Sequence, residues 1–544
     1  MPLILLLLIA AIASAQTGTL AVINSRIWTA DPSAPVVEAM VVSGDRIVAV
    51  GATADVQKFI GPKTRVIDGA GKMVTPGFID SHIHFLEGGS ALASVQLRDA
   101  KSKAEFVARI KAFAAKAPAG TWILRGEWDH QNWGGELPTK EWIDAVTPNN
   151  PVWIDRLDGH MGLANSKALA AAHVTKATMD IAGGAIVRSA NGEPTGILKD
   201  NAKSLMDKVV PPPPAEMSDR ALDAAMQYAA ERGVTAVDHM GSWADLEVFE
   251  RARRAGKLKT RIYAAVPLST WRQLQEKVSK SGRGDDWLRI GALKAFVDGS
   301  LGSHTAAFLE PYSDAPKDSG ILVSKPEDLY QWTSDATKAG LHVMVHAIGD
   351  RAIRTQLDIY ERVIREQKPA DPRFRIEHAQ HIDPADITRF GKLGVIASMQ
   401  PYHCIDDGRW AEKEIGPERA KTSYAFASLL ATHGKLAFGS DWPVASATPL
   451  EGIYAAATRA TLDGLNGDGW VPQQKISSDA AMRAYTIDGA FARFSEKQIG
   501  SLEKGKLADF VILDRDVART PAQEIRNIPV RMTVVGGQVV YERK

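Results

Sequence analysis

From Ser218 to Ser440 the chain alternates between two rhythms, and this alternation restricts its possible folds more than any other feature. Helix-period stretches at Ser218–Arg232, Pro326–Ala339 and Ala352–Gln367 follow an earlier one at Ala104–Ala117, which Pro118 stops. Between them lie short apolar runs: Val234–Asp238, Arg261–Ala265, Gly291–Val297, His342–His346, Arg373–His378, Val395–Met399 and Leu436–Ser440. Strands joined through helices form a parallel sheet, because a hairpin cannot connect parallel neighbours. Several runs end on a polar or ionisable residue: Asp238 and His239, Asp298, His346, His378 and Asp441. Residues gathered from many strand ends point to a (β/α)8 barrel, whose site lies at the C-terminal rim. The rival, a doubly wound open sheet, normally shows a Gly-rich phosphate loop at one switch point. The sequence has no such loop.

Both ends of the chain read differently. Thr19–Asn24, Arg26–Thr29, Ala39–Ser43, Arg46–Gly51, Arg65–Asp68 and Lys72–Thr75 are short strand patterns separated by turn residues such as Gly44-Asp45. Asp509–Leu513, Arg531–Val535 and Gln538–Tyr541 repeat that style. Chain ends commonly lie close together. The expected organisation is therefore a small β-sandwich built from residues 16–75 and 495–544, flanking a barrel at 76–494. Residues from about 121 to 208 lack the barrel rhythm and are expected to be an insertion, with Pro211–Pro214 as a stiff linker.

The extreme N-terminus predicts export. Leu3–Ile12 is an unbroken apolar run followed by Ala13-Ser14-Ala15, an A-x-A cleavage pattern, so residues 1–15 read as a signal peptide. The expected destination is the periplasm or the exterior. No Lys or Arg precedes the run, which is atypical. The single cysteine, Cys404, cannot form an internal disulfide and is expected to be a small buried hydrophobe. Lys plus Arg number 65 against 64 Asp plus Glu, a net charge of +1, with no basic tract. That composition argues against nucleic acid as the partner. The expected partner is a small molecule, with no membrane contact after leader removal and homodimerisation left open.

The chemistry begins at Thr75-Pro76-Gly77-Phe78-Ile79-Asp80-Ser81-His82-Ile83-His84-Phe85. Residues two apart on a strand share a side, so His82 and His84 project together. Two converging imidazoles suit a divalent transition metal such as zinc, although such a pair also occurs as two exposed strand residues. His346 and His378 each close a β-like run. Asp441, in Phe438-Gly439-Ser440-Asp441-Trp442-Pro443, reads as a metal ligand or general base, or as a turn or N-cap aspartate.

Taken together, the segments Pro76–His84, Leu293–Thr305, His346–Asp350, Glu377–Gln380, Gln400–His403, Gly439–Pro443 and Gly500–Asp514 resemble the amidohydrolase superfamily, most closely its amidohydrolase-3 (YtcJ-like) branch. The resemblance spans most of the chain and implies a barrel with a flanking β-sandwich. By that resemblance, His82 and His84 belong to the more buried metal, His346 and His378 to a second, and Asp441 touches the first and shuttles protons. Lys294 matches a position that often carries a carboxylated lysine bridging two metals. An unmodified ammonium cannot bind a cation, whereas a carbamate derived from carbon dioxide supplies two anionic oxygens. A surface lysine, or one paired with Asp298, is the plainer alternative.

The implied cofactor is two zinc ions, with manganese, iron or cobalt as alternatives. The implied reaction is hydrolysis of a non-peptide amide C–N bond by metal-activated hydroxide, with Asp441 as proton shuttle. Esters, lactones and carbamates offer the same kind of carbonyl, and a non-catalytic binding protein on a retained barrel is the reading from another class. His160, His239 and His403 are candidates for binding substrate or orienting a ligand. Trp128, clustered with Trp133 and Trp142, is a candidate for an aromatic pocket or for pinning the insertion.

Overall fold

Eight parallel strands run through the centre of the molecule. In chain order they are β1 (Phe78–Ile83), β2 (Val234–Met240), β3 (Arg261–Pro267), β4 (Leu288–Phe296), β5 (His342–Ala347), β6 (Arg375–His378), β7 (Ile396–Met399) and β8 (Lys435–Phe438). They are hydrogen-bonded in sequence order, each neighbour pair parallel. Every residue of β1, β2 and β5 is buried. A strand covered on both faces needs no polar alternation, which is why the middle of β5, Val343–Val345, reads as a continuous apolar run. The computed structural model describes residues 17–544, so the expected leader lies outside the described residues.

The remaining gap, from β8 back to β1, is bridged just beyond the end of β8. The Asp441 N–H donates to the His82 carbonyl at 2.7 Å, and the His84 N–H donates to the Trp442 carbonyl at 2.9 Å. A Cβ on Gly439 would come within 2.5 Å of the His82 nitrogen, so glycine is what permits this approach. The closure of the barrel and the convergence of His82, His84 and Asp441 are thus one event.

Two further sheets sit beside the barrel. One orders Arg46–Gly51, Ala39–Ser43, Leu20–Ile23 and Arg65–Asp68; the other orders Gln538–Glu542, Val530–Val535, Phe510–Leu513, Met73–Pro76, Arg26–Trp28 and Val36–Val37. Leu20, Val22 and Met40 of the first share a core with Ile27, Val74, Phe510 and Val534 of the second. This is a β-sandwich assembled from both ends of the chain. The fold is a (β/α)8 barrel carrying that sandwich. Cys404 is fully buried, and burial pushes its thiol up to about 11.

The insertion has its own five-stranded sheet, ordered Gly184–Arg188, Pro194–Asp200, Met161–Ala164, Val152–Asp155 and Ile123–Leu124. Helix Lys103–Ala114 packs Phe106 and Ile110 into its core. The sequence reading placed that helix with the barrel and began the insertion near Thr121. An amphipathic period reveals a buried face but not the surface it is buried against. Trp128 is corrected likewise. It is fully buried in the same core, its indole N–H donating to the Ile154 carbonyl at 2.9 Å, so its role is to pack the insertion. Trp133 and Trp142 pack with Phe106 beside it.

Candidate metal centre

His82 is fully buried on β1, and its ring is fixed from behind. Its Nδ1 lies 2.5 Å from Glu377 Oε2, so Nδ1 donates and the Nε2 lone pair points the other way. There it meets Asp441 Oδ1 at 3.4 Å and Lys294 Nζ at 3.3 Å. His84 Nε2 lies 3.3 Å from the same Asp441 oxygen. The His82–His378 and His346–His378 ring centroids are 4.6 and 4.5 Å apart. His378 Nδ1 faces Gln400 Oε1 at 2.8 Å, leaving its Nε2 free, while His346 Nε2 faces the Gly299 carbonyl at 3.0 Å, leaving its Nδ1 free. All six residues expected to form the centre meet at the C-terminal rim.

The electrostatics suit a cation. Burial raises the Asp441 carboxyl, but His82, His84 and His378 more than offset that and hold it well below the usual range. Burial keeps His346 and His378 well below the usual imidazole range, aided by the histidine and lysine neighbours. Neutral imidazoles can offer lone pairs. Burial lowers Lys294 to about 8, so a fraction is free amine near neutral pH. Lys294 is not paired with Asp298, whose carboxylate instead accepts the backbone N–H groups of Ala307, Ile348 and Gly349 at 2.8–3.0 Å.

The donor set fits a divalent metal. His82, His84 and Asp441 place one ligating atom each within 4.8 Å of one another, and so do His378, His403 and Asp441. Asp441 Oδ1 is buried with no hydrogen-bond partner, a costly state that a cation relieves. His403, expected on the substrate side, therefore lies within the ligand cluster, its Nε2 also without a partner.

His160 sits at the opposite wall, its ring centroid 4.9 Å from that of His346. Its Nδ1 is 2.6 Å from Asp200. Burial opposes its charge, but Asp200 and Asp158 prevail and raise its pKa. His239 lies beside the entrance with both ring nitrogens engaged: Nδ1 accepts the Phe85 N–H at 3.0 Å and Nε2 is 3.4 Å from Asp245. A cleft of about 980 Å³ reaches His84 and Lys294 from solvent, and an inner pocket of about 180 Å³ reaches His160, His346 and Asp441.

Three contributors escaped the sequence reading. Glu377 orients His82 and is itself gripped by Arg375, whose Nε–Oε1 distance is 2.7 Å. The signal was Arg375-Ile376-Glu377, two charges sharing one face of a buried strand. Asp80, buried behind the site, accepts from the Ser440 N–H at 2.9 Å and its hydroxyl at 2.5 Å, positioning the residue before Asp441. Glu127 lines the inner pocket and has no basic group within 4.0 Å among the described residues. Asp129 and His130 hold Arg156, each at 3.2 Å.

Neutral histidines, an anionic aspartate and a depressed lysine at this rim define a metal-binding barrel enzyme. The chain belongs to the amidohydrolase family, whose model matches residues 65–541, and it is a hydrolase. It is 43% identical over 535 residues to Protein LONG AFTER FAR-RED 3 of Arabidopsis thaliana, covering 96% of this chain and 91% of the relative. It is 30% identical to the N-substituted formamide deformylase of Arthrobacter pascens, covering 97% and 99%. Among solved structures, an uncharacterised metal-dependent hydrolase of Pyrococcus horikoshii matches with a TM-score of 0.74 at 30% identity, covering 92% and 99%.

Proposed function

We propose that this protein hydrolyses the C–N bond of a small N-substituted amide at a centre formed by His82, His84, Lys294, His346, His378 and Asp441. The observation that carries this reading is the buried Asp441 Oδ1, without a hydrogen bond and held at 3.3–3.4 Å from two imidazole nitrogens, on a residue that lines the inner pocket. The deformylase relative supports the choice of C–N bond over an ester. Zinc is the metal the imidazole–carboxylate set favours, and a pair of ions is the full complement. The depressed Lys294 amine, 3.3 Å from His82 Nε2, supports reading this residue as a carbamate that would help hold the metal.

The metal, when bound, makes water acidic enough to ionise near neutral pH and polarises the substrate carbonyl. The chain's residues do the rest. Asp441 accepts the proton of the attacking water and returns it to the leaving nitrogen, since an amine anion leaves poorly. His160, whose pKa Asp200 and Asp158 raise against the effect of burial, donates to the substrate oxygen. Glu377 keeps the His82 tautomer fixed. The N-terminal leader supports action outside the cytoplasm.

Asp441→Asn should retain most metal by elemental analysis while losing at least a thousandfold in kcat on amide substrates. Near-normal turnover overturns the assignment. Matched amide and ester panels on the native protein test the bond class: a preference for the ester displaces the amide reading.

A further inference from the structure

Away from the catalytic cluster, a second group of metal-type donors meets where two rim segments cross. His304 and Asp314 belong to the long segment that follows β4, and Glu414 to helix Ala411–Ala420 that follows β7. His304 Nε2 lies 3.6 Å from Asp314 Oδ2 and 3.6 Å from Glu414 Oε2, and the three ligating atoms all lie within 4.8 Å of one another. These separations are too long for hydrogen bonds. They approximate the ~3.4 Å between two donors sharing one tetrahedral ion at zinc–ligand distances of about 2.0–2.1 Å.

The second observation is at Glu414. The residue is 3% exposed, and its two oxygens differ. Oε1 accepts from Gln131 Nε2 at 3.2 Å, whereas Oε2, the atom facing His304, is buried without a hydrogen-bond partner. A buried carboxylate oxygen without a hydrogen bond is costly to maintain, and a dication removes the cost. The His304 ring is stacked on Tyr312 at 4.5 Å and 3°, which fixes the direction of Nε2. Tyr312 is itself tied down by its hydroxyl, which donates to the Ala306 carbonyl at 2.9 Å. Asp314 is exposed, giving an ion an entrance and leaving room for a water ligand.

We propose that His304, Asp314 and Glu414 form a structural divalent-metal site, distinct from the catalytic centre, that takes an ion of the zinc class. One imidazole and two carboxylates suit zinc, cobalt or manganese better than calcium, which prefers six to eight oxygens. The site clasps the β4 rim segment to the helix after β7. Gln131 extends the clasp to the insertion, and the Ser313 N–H donating to the Glu414 carbonyl at 2.7 Å runs alongside it. An ion here staples three segments of the rim and the insertion together.

The test is zinc content per chain after chelator stripping and reconstitution with zinc alone. His304→Ala and the milder surface change Asp314→Asn should each hold one zinc fewer than the native protein, with kcat at saturating zinc within about threefold. In a His82→Ala/His84→Ala/Asp441→Asn background, which removes the donor shared by both catalytic groups, zinc should still raise the melting temperature, and adding Asp314→Asn should sharply reduce that rise. Equal zinc content in native protein and both rim variants overturns the site. So does a thermal shift that Asp314→Asn leaves undiminished. Neither result depends on substrate, so failure here leaves the amidase reading untouched.

Discussion

At the scale of single residues, buried charges set one another's chemistry. Glu377 is fully buried, and burial alone would raise its pKa. Arg375 and His82 overcome that and keep it ionised, so it can hold the His82 Nδ1 proton. Glu377→Gln should weaken zinc binding about 10–100-fold, read by chelator competition, because an orienting carboxylate behind a ligand histidine has that worth. An unchanged affinity would count against the orienting role. Glu127 is the opposite case. Burial, then repulsion from Asp155, raises its carboxyl to about 7, and its backbone sits at φ 47°. The unfolded chain ionises this group from about pH 4.5 upward, while the folded chain keeps the proton until about 7. Its contribution to stability is therefore fully present at low pH and lost as pH rises through that window. Glu127→Gln should match the native protein at pH 4 and exceed its stability by up to about 3 kcal/mol at pH 8, measured by denaturant melts. A pH-independent difference would rule this out.

At the scale of elements, the strands were the most legible feature and the allegiance of helices the least. Strand Ala39–Ser43 and strand Arg46–Gly51 fall where the Gly44-Asp45 turn placed them. The barrel strands shift by only a few residues at their ends. Helix Lys103–Ala114 was legible as a helix, yet its partner sheet in the insertion was not. Trp128 shows why: a tryptophan offers the same side chain to a ligand or to a core. Trp128→Ala should cost about 3–5 kcal/mol by emptying a packed site. Limited proteolysis should then cut first within the insertion, with bound-metal content unchanged. Cleavage first in the barrel would contradict an insertion-specific role.

At the scale of the whole molecule, the sandwich is fastened to the barrel by a buried ion pair. Arg261 of β3 donates to both oxygens of Asp509, at 2.6 and 2.9 Å, and Asp509 also accepts the Gly536 N–H at 2.7 Å. Asp509→Ala strands a buried guanidinium and should cost about 3–5 kcal/mol of unfolding free energy while leaving kcat per folded molecule unchanged. A loss of kcat without loss of stability would show coupling to the site instead. The parallel barrel, the sandwich from both ends and the ligand-type residues at strand ends were legible along the chain, because strand-helix alternation and period-two geometry are written locally. That Glu377 stands behind His82, that His403 meets His378 and Asp441, and that Trp128 packs into a core followed only from folding. Folding alone brought His304 and Asp314 to Glu414, about a hundred residues away in the chain. Such contacts arise from barrel closure and loop crossing, and no local pattern encodes a distance between segments that meet only when the chain folds.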